Sequence, residues 1–230
     1  VNAGGPWVKD VISNTLRLNS SEGVRLVRGS HIVTRKLYDH DKCYFFQGGD
    51  GRIIFAIPYE GEFTLIGTTD AEHTDADVTP ECTPDEAEYL CNFASQYFER
   101  PVTREDIVWS YSGVRPLYDD GAKSATAATR DYVLSLSEGQ GAPLLNVFGG
   151  KITTYRKLAE SALEDLKPLL PSMGEPWTHE KALPGGDIES RAAFTRQLQR
   201  DYPFLGEARA RRFASSYGSL CLHFLDGKKS

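Results

Sequence analysis

The apolar positions change their spacing several times along the chain, and each change marks an element. After a turn at Gly4–Trp7, Val8, Val11, Ile12 and Leu16 recur at helical intervals and predict one short helix. From Gly23 the pattern becomes extended: Val24, Leu26, Ile32 and Val33 flank Gly29-Ser30-His31, and Tyr44 to Gln47 makes a further strand. A Gly48-Gly49-Asp50-Gly51 turn leads to Arg52–Tyr59, and a turn at Gly61 leads to Phe63–Thr69. Thr83-Pro84-Asp85-Glu86 combines a capping Thr, a Pro at the first helical position and a Glu three residues after the cap. It predicts a helix to about Phe98, with Ala87, Leu90, Cys91, Ala94 and Phe98 laid on a sheet, so Cys91 reads as core. Strands resume at Ile107–Leu117, Asp131–Ser137 and Leu144–Phe148, with a surface loop expected from Tyr118 to Thr129. The predicted class is α+β with a mainly antiparallel sheet.

Leu144–Thr154 holds the densest chemistry. Leu144, Leu145, Val147 and Phe148 suit a strand covered on both faces, and Gly149-Gly150 lets the backbone turn sharply and approach a ligand. Tyr155, Leu158, Ala159, Ala162, Leu163, Leu166 and Leu170 follow at helical spacing, so Thr153 or Thr154 is placed to cap a helix. Free N–H groups at such a start favour an anionic or electron-rich ligand, and Lys151 adds a cation. A nucleotide P-loop is excluded, because Leu145 and Ile152 stand where its first glycine and its Ser or Thr are needed. An ordinary β-α turn with a solvent-facing lysine meets the same description.

Composition narrows the classes. A formal charge of −6 and the lack of any Lys/Arg run argue against nucleic acid as a partner. Cys43, Cys82, Cys91 and Cys221 form no close pair and match no histidine spacing, which suggests neither a metal site nor a disulfide framework and favours a reducing, cytoplasmic setting. No apolar run approaches the ~18 residues of a membrane-spanning helix. Beyond the Leu144 strand and its helix, Pro168, Pro171, Gly174, Pro176 and Pro184-Gly185-Gly186 read as a linker. A helical region begins at Asp187, and its arginines at 191, 196, 200, 209, 211 and 212 read as a solvated face.

Three further residues are candidates for a site. Arg115 stands between a strand and Pro116, which biases it to an extended conformation and fixes where its side chain leaves the backbone. A guanidinium held so suits a phosphate or a carboxylate equally, and a surface ion pair is the alternative. Arg130, before Asp131 and Tyr132, is a second candidate, with pairing to a neighbouring carboxylate as its alternative. His31, at a Gly-Ser bend between extended segments, offers a neutral imidazole near pH 7 that can take a proton from an alcohol.

Taken together the motifs resemble the FAD-dependent, aerobic respiratory glycerol-3-phosphate dehydrogenases. The resemblance rests on Gly29-Ser30-His31-Ile32-Val33, Ile57-Pro58-Tyr59, Leu65-Ile66-Gly67-Thr68-Thr69-Asp70, Tyr111-Ser112-Gly113-Val114-Arg115-Pro116-Leu117, Thr129-Arg130-Asp131-Tyr132 and Phe148-Gly149-Gly150-Lys151-Ile152-Thr153-Thr154-Tyr155. Trp177 and Leu183-Pro184-Gly185-Gly186 continue it, and Asn2-Ala3-Gly4-Gly5-Pro6-Trp7 looks like the end of a flavin-domain strand. What it implies is oxidation of sn-glycerol 3-phosphate to dihydroxyacetone phosphate, with FAD as cofactor, a quinone as acceptor and a peripheral place on the inner membrane; a homodimer stays open. It implies His31, Arg115 and Lys151 as catalytic residues, with Arg130 also at the substrate. It puts Gly5 and Gly149, Gly150, Lys151, Ile152, Thr153 and Thr154 beside the flavin, and leaves Asp70 as a turn or cap residue.

The implied organisation is the end of a flavin domain over 1–22, a substrate-binding sheet domain over 23–138, the returning flavin-contacting strand and helix over 139–172, and a linker with the start of a helical domain over 173–230. The chain carries no Gly-x-Gly-x-x-Gly after an N-terminal strand. It is therefore expected to be a piece of a longer enzyme that alone neither holds FAD tightly nor turns over. Two rival readings are a related glycine-oxidase-like flavoprotein acting on an amine or 2-hydroxy acid, and a non-catalytic sugar-phosphate-binding module.

Overall fold

The computed structural model describes residues 1–121, 129–138 and 141–229. The chain divides into two compact units, Val1–Pro171 and Ser172–Ser230.

The first unit is built on a six-stranded sheet. Its strands are β1 (Val24–Arg35), β2 (Tyr44–Gln47), β3 (Ile53–Tyr59), β4 (Phe63–Gly67), β5 (Ala71–His73) and β6 (Ile107–Tyr118). Every pairing is antiparallel, as the hairpin turns predict. β1 is the spine. Along one edge it pairs with β6 from Val24 to Thr34, while along the other it meets β4 at His31–Arg35 and β5 at Leu26–Arg28. Strand β5 was not expected; three residues are too few to show an alternation.

Because side chains alternate across a strand, the register sorts the sheet into two faces. Ile32, Ile54, Ala56, Ile66 and Phe46 point to the back, where α2 (Pro84–Ala94) buries Ala87, Leu90, Cys91, Phe93 and Ala94 against them. The capping box forms as its sequence requires, with Thr83 and Glu86 exchanging hydrogen bonds. The helix stops at Ala94 rather than Phe98, since Ser95 Oγ donates to the Cys91 carbonyl (2.7 Å) and accepts the Val102 N–H (2.8 Å), turning the chain.

Strands β7 (Val133–Ser137) and β8 (Leu144–Phe148) form a separate antiparallel pair. On its other side β8 is bridged in parallel by Asn2, whose N–H donates to the Leu145 carbonyl (2.7 Å) and whose carbonyl accepts the Val147 N–H (2.9 Å). The Asn2 side-chain amide also donates to Asn146 Oδ1 and to the Val8 carbonyl, both at 3.0 Å, and its oxygen accepts the Gly4 N–H, so both ends of this buried amide are engaged. The predicted N-terminal helix is a single turn, α1 (Val8–Asp10), continued by a π-helical turn at Val11–Thr15, and Val8 and Ile12 pack on Phe148. After β8 comes α3 (Tyr155–Leu166), which ends before Leu170 because Pro168 cannot donate to a continuing helix. The expected Tyr118–Thr129 loop falls largely on 122–128, outside the described residues.

The second unit contains α4 (Arg191–Asp201), capped by Ser190, then α5 (Gly206–Ser216) and α6 (Cys221–Leu225). Phe194, Leu198, Leu205, Ala210, Ala214, Cys221 and Leu225 form its own core, and the arginines of α4 and α5 face solvent.

Candidate active site

Along β1 the front face of the sheet carries Val27, Gly29, His31 and Val33. His31, opposite Gly67 on β4 and Tyr111 on β6, shares this face with Gly29, Gly113 and Arg115, and with the exposed rings of Phe45, Phe55 and Trp109. Two glycines serve as seats. A Cβ at Gly67 would lie 2.2 Å from His31 Cδ2, and a Cβ at Gly29 would lie 2.2 Å from Arg115 Nη2. Only a residue without a side chain lets the imidazole and the guanidinium lie flat on the strands.

His31 stacks on Tyr111 with ring centroids 4.9 Å apart and planes within 5°. Its Nδ1 is buried with no hydrogen-bond partner among the described residues. Burial, and then the positive Arg115, hold its pKa below the ordinary 6.5, so the ring is neutral at pH 7.

Arg115 is gripped by the turn between β4 and β5. Its Nη1 donates to Asp70 Oδ1 (2.7 Å) and its Nη2 to Thr68 Oγ1 (3.0 Å). Asp70 also accepts from Arg130 Nη2 at 3.2 Å. Asp70 does lie in the turn between β4 and β5, as expected, and its carboxylate is in addition the shared counter-ion of two arginines. The sequence offered an ion pair as the alternative for each arginine but not the shared partner, since Asp70 stands 45 and 60 positions away.

Arg115, Arg130, Gly150 and Lys151 line one open pocket of about 370 Å³, with Val114, Pro116 and Leu117 completing the wall. His31 stands outside that lining, on the same sheet face. A wider hollow of about 720 Å³ lies around Trp7, Arg25, Glu72, Asp75 and Asp77, and none of the sequence candidates lines it.

The glycine turn after β8 has the backbone its sequence requires. Gly149 and Gly150 take φ of +68° and +96°, and a Cβ at Gly149 would meet the Asp131 carbonyl at 2.9 Å. Ile152–Thr154 then form a 3-10 turn leading into α3. The capping expectation fails, because neither threonine makes a side-chain cap; Thr154 Oγ1 donates back to the Lys151 carbonyl (3.0 Å). The N–H groups that open the turn therefore keep no side-chain cap to compete with a ligand. Asn2 runs parallel to β8, so the turn after it, with Gly5 at φ +56°, leaves the same end of the ladder as Gly149-Gly150. Carboxyl ends of neighbouring parallel strands are where such sheets hold cofactors. No neighbouring atom stands within 4 Å of a Cβ on Gly5. These glycine turns and the open helix start offer the close backbone approach and N–H groups that suit the polar edge of a flavin.

Residues 1–156 match the family model described as FAD dependent oxidoreductase. The chain is 48% identical over 221 residues to an aerobic glycerol-3-phosphate dehydrogenase of Escherichia coli, covering 95% of this chain and 44% of that protein. It is 45% identical, over the same shares, to a D-erythritol 1-phosphate dehydrogenase of Brucella abortus. The solved glycerol-3-phosphate dehydrogenase of Bacillus halodurans, complexed with FAD, superposes with a TM-score of 0.79 at 29% identity, covering 96% of this chain and 43% of that one. The chain thus spans less than half the length of the relatives it matches. The matched region holds the glycine turns, both seats and every candidate side chain named above, and on that match the chain belongs to the FAD dependent oxidoreductase family.

Proposed function

We propose that the chain is the substrate-binding part of an FAD-dependent dehydrogenase that oxidises sn-glycerol 3-phosphate to dihydroxyacetone phosphate. The observation that carries the reading is the single pocket lined by Arg115, Arg130 and Lys151. Asp70 is the one carboxylate ion-paired to these cations, so the group keeps a net positive charge among the described residues. A phosphate dianion balances that charge more fully than the carboxylate of an amino or 2-hydroxy acid.

Residue roles follow from position. Arg115, held by Thr68 and Asp70, presents its fork to the phosphate, while Arg130 and Lys151 add charge from the other walls of the pocket. The neutral His31 accepts the proton of the C2 hydroxyl as the carbonyl forms. Lys151 and the opening N–H groups at Ile152 and Thr153 present positive charge to the cofactor edge, with Thr154 beside them and Gly5, Gly149 and Gly150 giving it room. FAD, when bound, supplies the two-electron acceptor for the C2–H bond. Transfer onward to a quinone and a peripheral position on the inner membrane belong to the same proposal; among the described residues no helix is long and apolar enough to cross a membrane. The chain alone is expected to be inactive.

The name of the Brucella relative favours a second substrate, a longer polyol phosphate. Both are tested by adding substrate anaerobically to the full-length flavoprotein. Bleaching of the flavin band by glycerol 3-phosphate, and not by glycine or a 2-hydroxy acid, is the expected result. Bleaching by D-erythritol 1-phosphate alone would move the assignment to that substrate, and bleaching by the acids alone would overturn the phosphate reading.

A further inference from the structure

Behind the site, on the α2 side of the sheet, lies a buried acid that the chemistry above does not use. Glu86 caps α2 with one carboxylate oxygen, which accepts the Thr83 N–H and hydroxyl at 3.0 Å and pairs with Arg28 at 2.9 Å. A cap needs no more than that. The other oxygen reaches into the sheet and accepts from Ser30 Oγ (2.9 Å) and Thr69 Oγ1 (2.7 Å).

Thr69 is held from β1 as well. Its hydroxyl accepts the Ser30 N–H (2.9 Å) and its own N–H donates to the Ser30 carbonyl (3.3 Å), while Ser30 Oγ lies 2.8 Å from Ser112 Oγ on β6. The residues on either side of Thr69 are those that grip Arg115, through Thr68 Oγ1 and Asp70 Oδ1. A buried charge is tolerated only when its lone pairs are met, and here they are met by the groups that fix this turn. Burial alone would raise the Glu86 pKa, but the Thr83 N–H and the Thr69, Ser30 and Arg28 donors outweigh it and hold the acid at about 2.

We propose that Glu86 is a positioning residue for the anion site: its carboxylate fixes Thr69, and through Thr69 the Thr68–Asp70 turn that aims Arg115 at the substrate phosphate. The proposal rests on the reading of Arg115 as the phosphate-binding residue. A capping acid alone would affect stability and leave substrate recognition untouched.

The test is a cycle in the full-length flavoprotein with glycerol 3-phosphate, using Glu86→Gln, Thr69→Val and Arg115→Lys, with flavin content measured for each. Thr69→Val keeps the volume and cuts the link while leaving the cap intact, so it decides the matter if Glu86→Gln does not fold. The expected result is a rise in KM of about tenfold for Thr69→Val, with kcat changed less than about twofold and flavin content unchanged. Combined with Arg115→Lys it should add little, because both changes act through one guanidinium. An unchanged KM in Thr69→Val, or an effect fully additive with Arg115→Lys, would overturn the positioning role. An unchanged KM in Arg115→Lys alone would instead overturn the phosphate reading beneath it.

Discussion

Gly29 and Gly67 show how much of the site depends on atoms that are absent. Each lies beneath a working side chain, but the two clashes differ in kind. At Gly29 a new Cβ would meet the far end of the Arg115 side chain, which can swing away, whereas at Gly67 it would meet the imidazole of His31 itself. Gly29→Ala should therefore weaken binding of glycerol 3-phosphate about tenfold or more in the full-length protein and leave the melting temperature nearly unchanged. Gly67→Ala should cost about 1–3 kcal/mol of stability as well, read from chemical denaturation. His31 gives a pH signature. Its folded pKa lies below 6.5, so the acid limb of kcat/KM should have its midpoint below that value. An unfolded chain takes up this proton first, so the same group makes stability fall as pH drops below 6.5. Loss of the limb in His31→Asn would identify the group.

At the scale of elements, α2 illustrates what a sequence makes legible. The Thr83-Pro84-Asp85-Glu86 start is local, and it forms as read; Thr83→Ala should cost about 1 kcal/mol through loss of the cap. Likewise the strand, glycine pair and helix from Leu144 onward need only neighbours in sequence, and they stand where the pattern put them. The second use of Glu86, its bonds to Ser30 and Thr69, spans 56 and 17 positions and exists only once α2 lies on the sheet. The ion pairs of Asp70 were hidden for the same reason, as Arg115 arrives through the pairing of β6 with β1 and Arg130 from the segment before β7. Arg115, Arg130 and Lys151 were legible one at a time as cations beside turns or prolines, and only the family resemblance put them together at one substrate. The depressed Glu86 pKa has a consequence for the whole sheet unit: its contribution to stability is present above the ordinary 4.5 and is lost as pH falls through about 2. Acid unfolding followed by circular dichroism should thus show a loss in that window that Glu86→Gln lacks.

Over the whole molecule, the main cores of the two units are built by different rules. The sheet unit buries α2 against alternating strand residues, and the helical unit buries Phe194, Leu198 and Leu205 with small residues of α5. Leu198 is fully buried in the second core, so Leu198→Ala should cost about 2–5 kcal/mol there, seen as lost hydrogen-exchange protection across α4 and α5. The proposed substrate site lies in the first unit, where strand register carries Arg115 and the returning β8 turn carries Lys151 to one pocket. The most direct measurement is glycerol-3-phosphate:quinone reductase activity of the full-length enzyme with added FAD, for wild type, Arg115→Ala and Lys151→Ala. The account requires both variants to lose activity by about a hundredfold or more while their flavin remains bound. Wild-type activity in both, with flavin bound, would contradict it and reduce the pocket to a surface cluster of ion pairs.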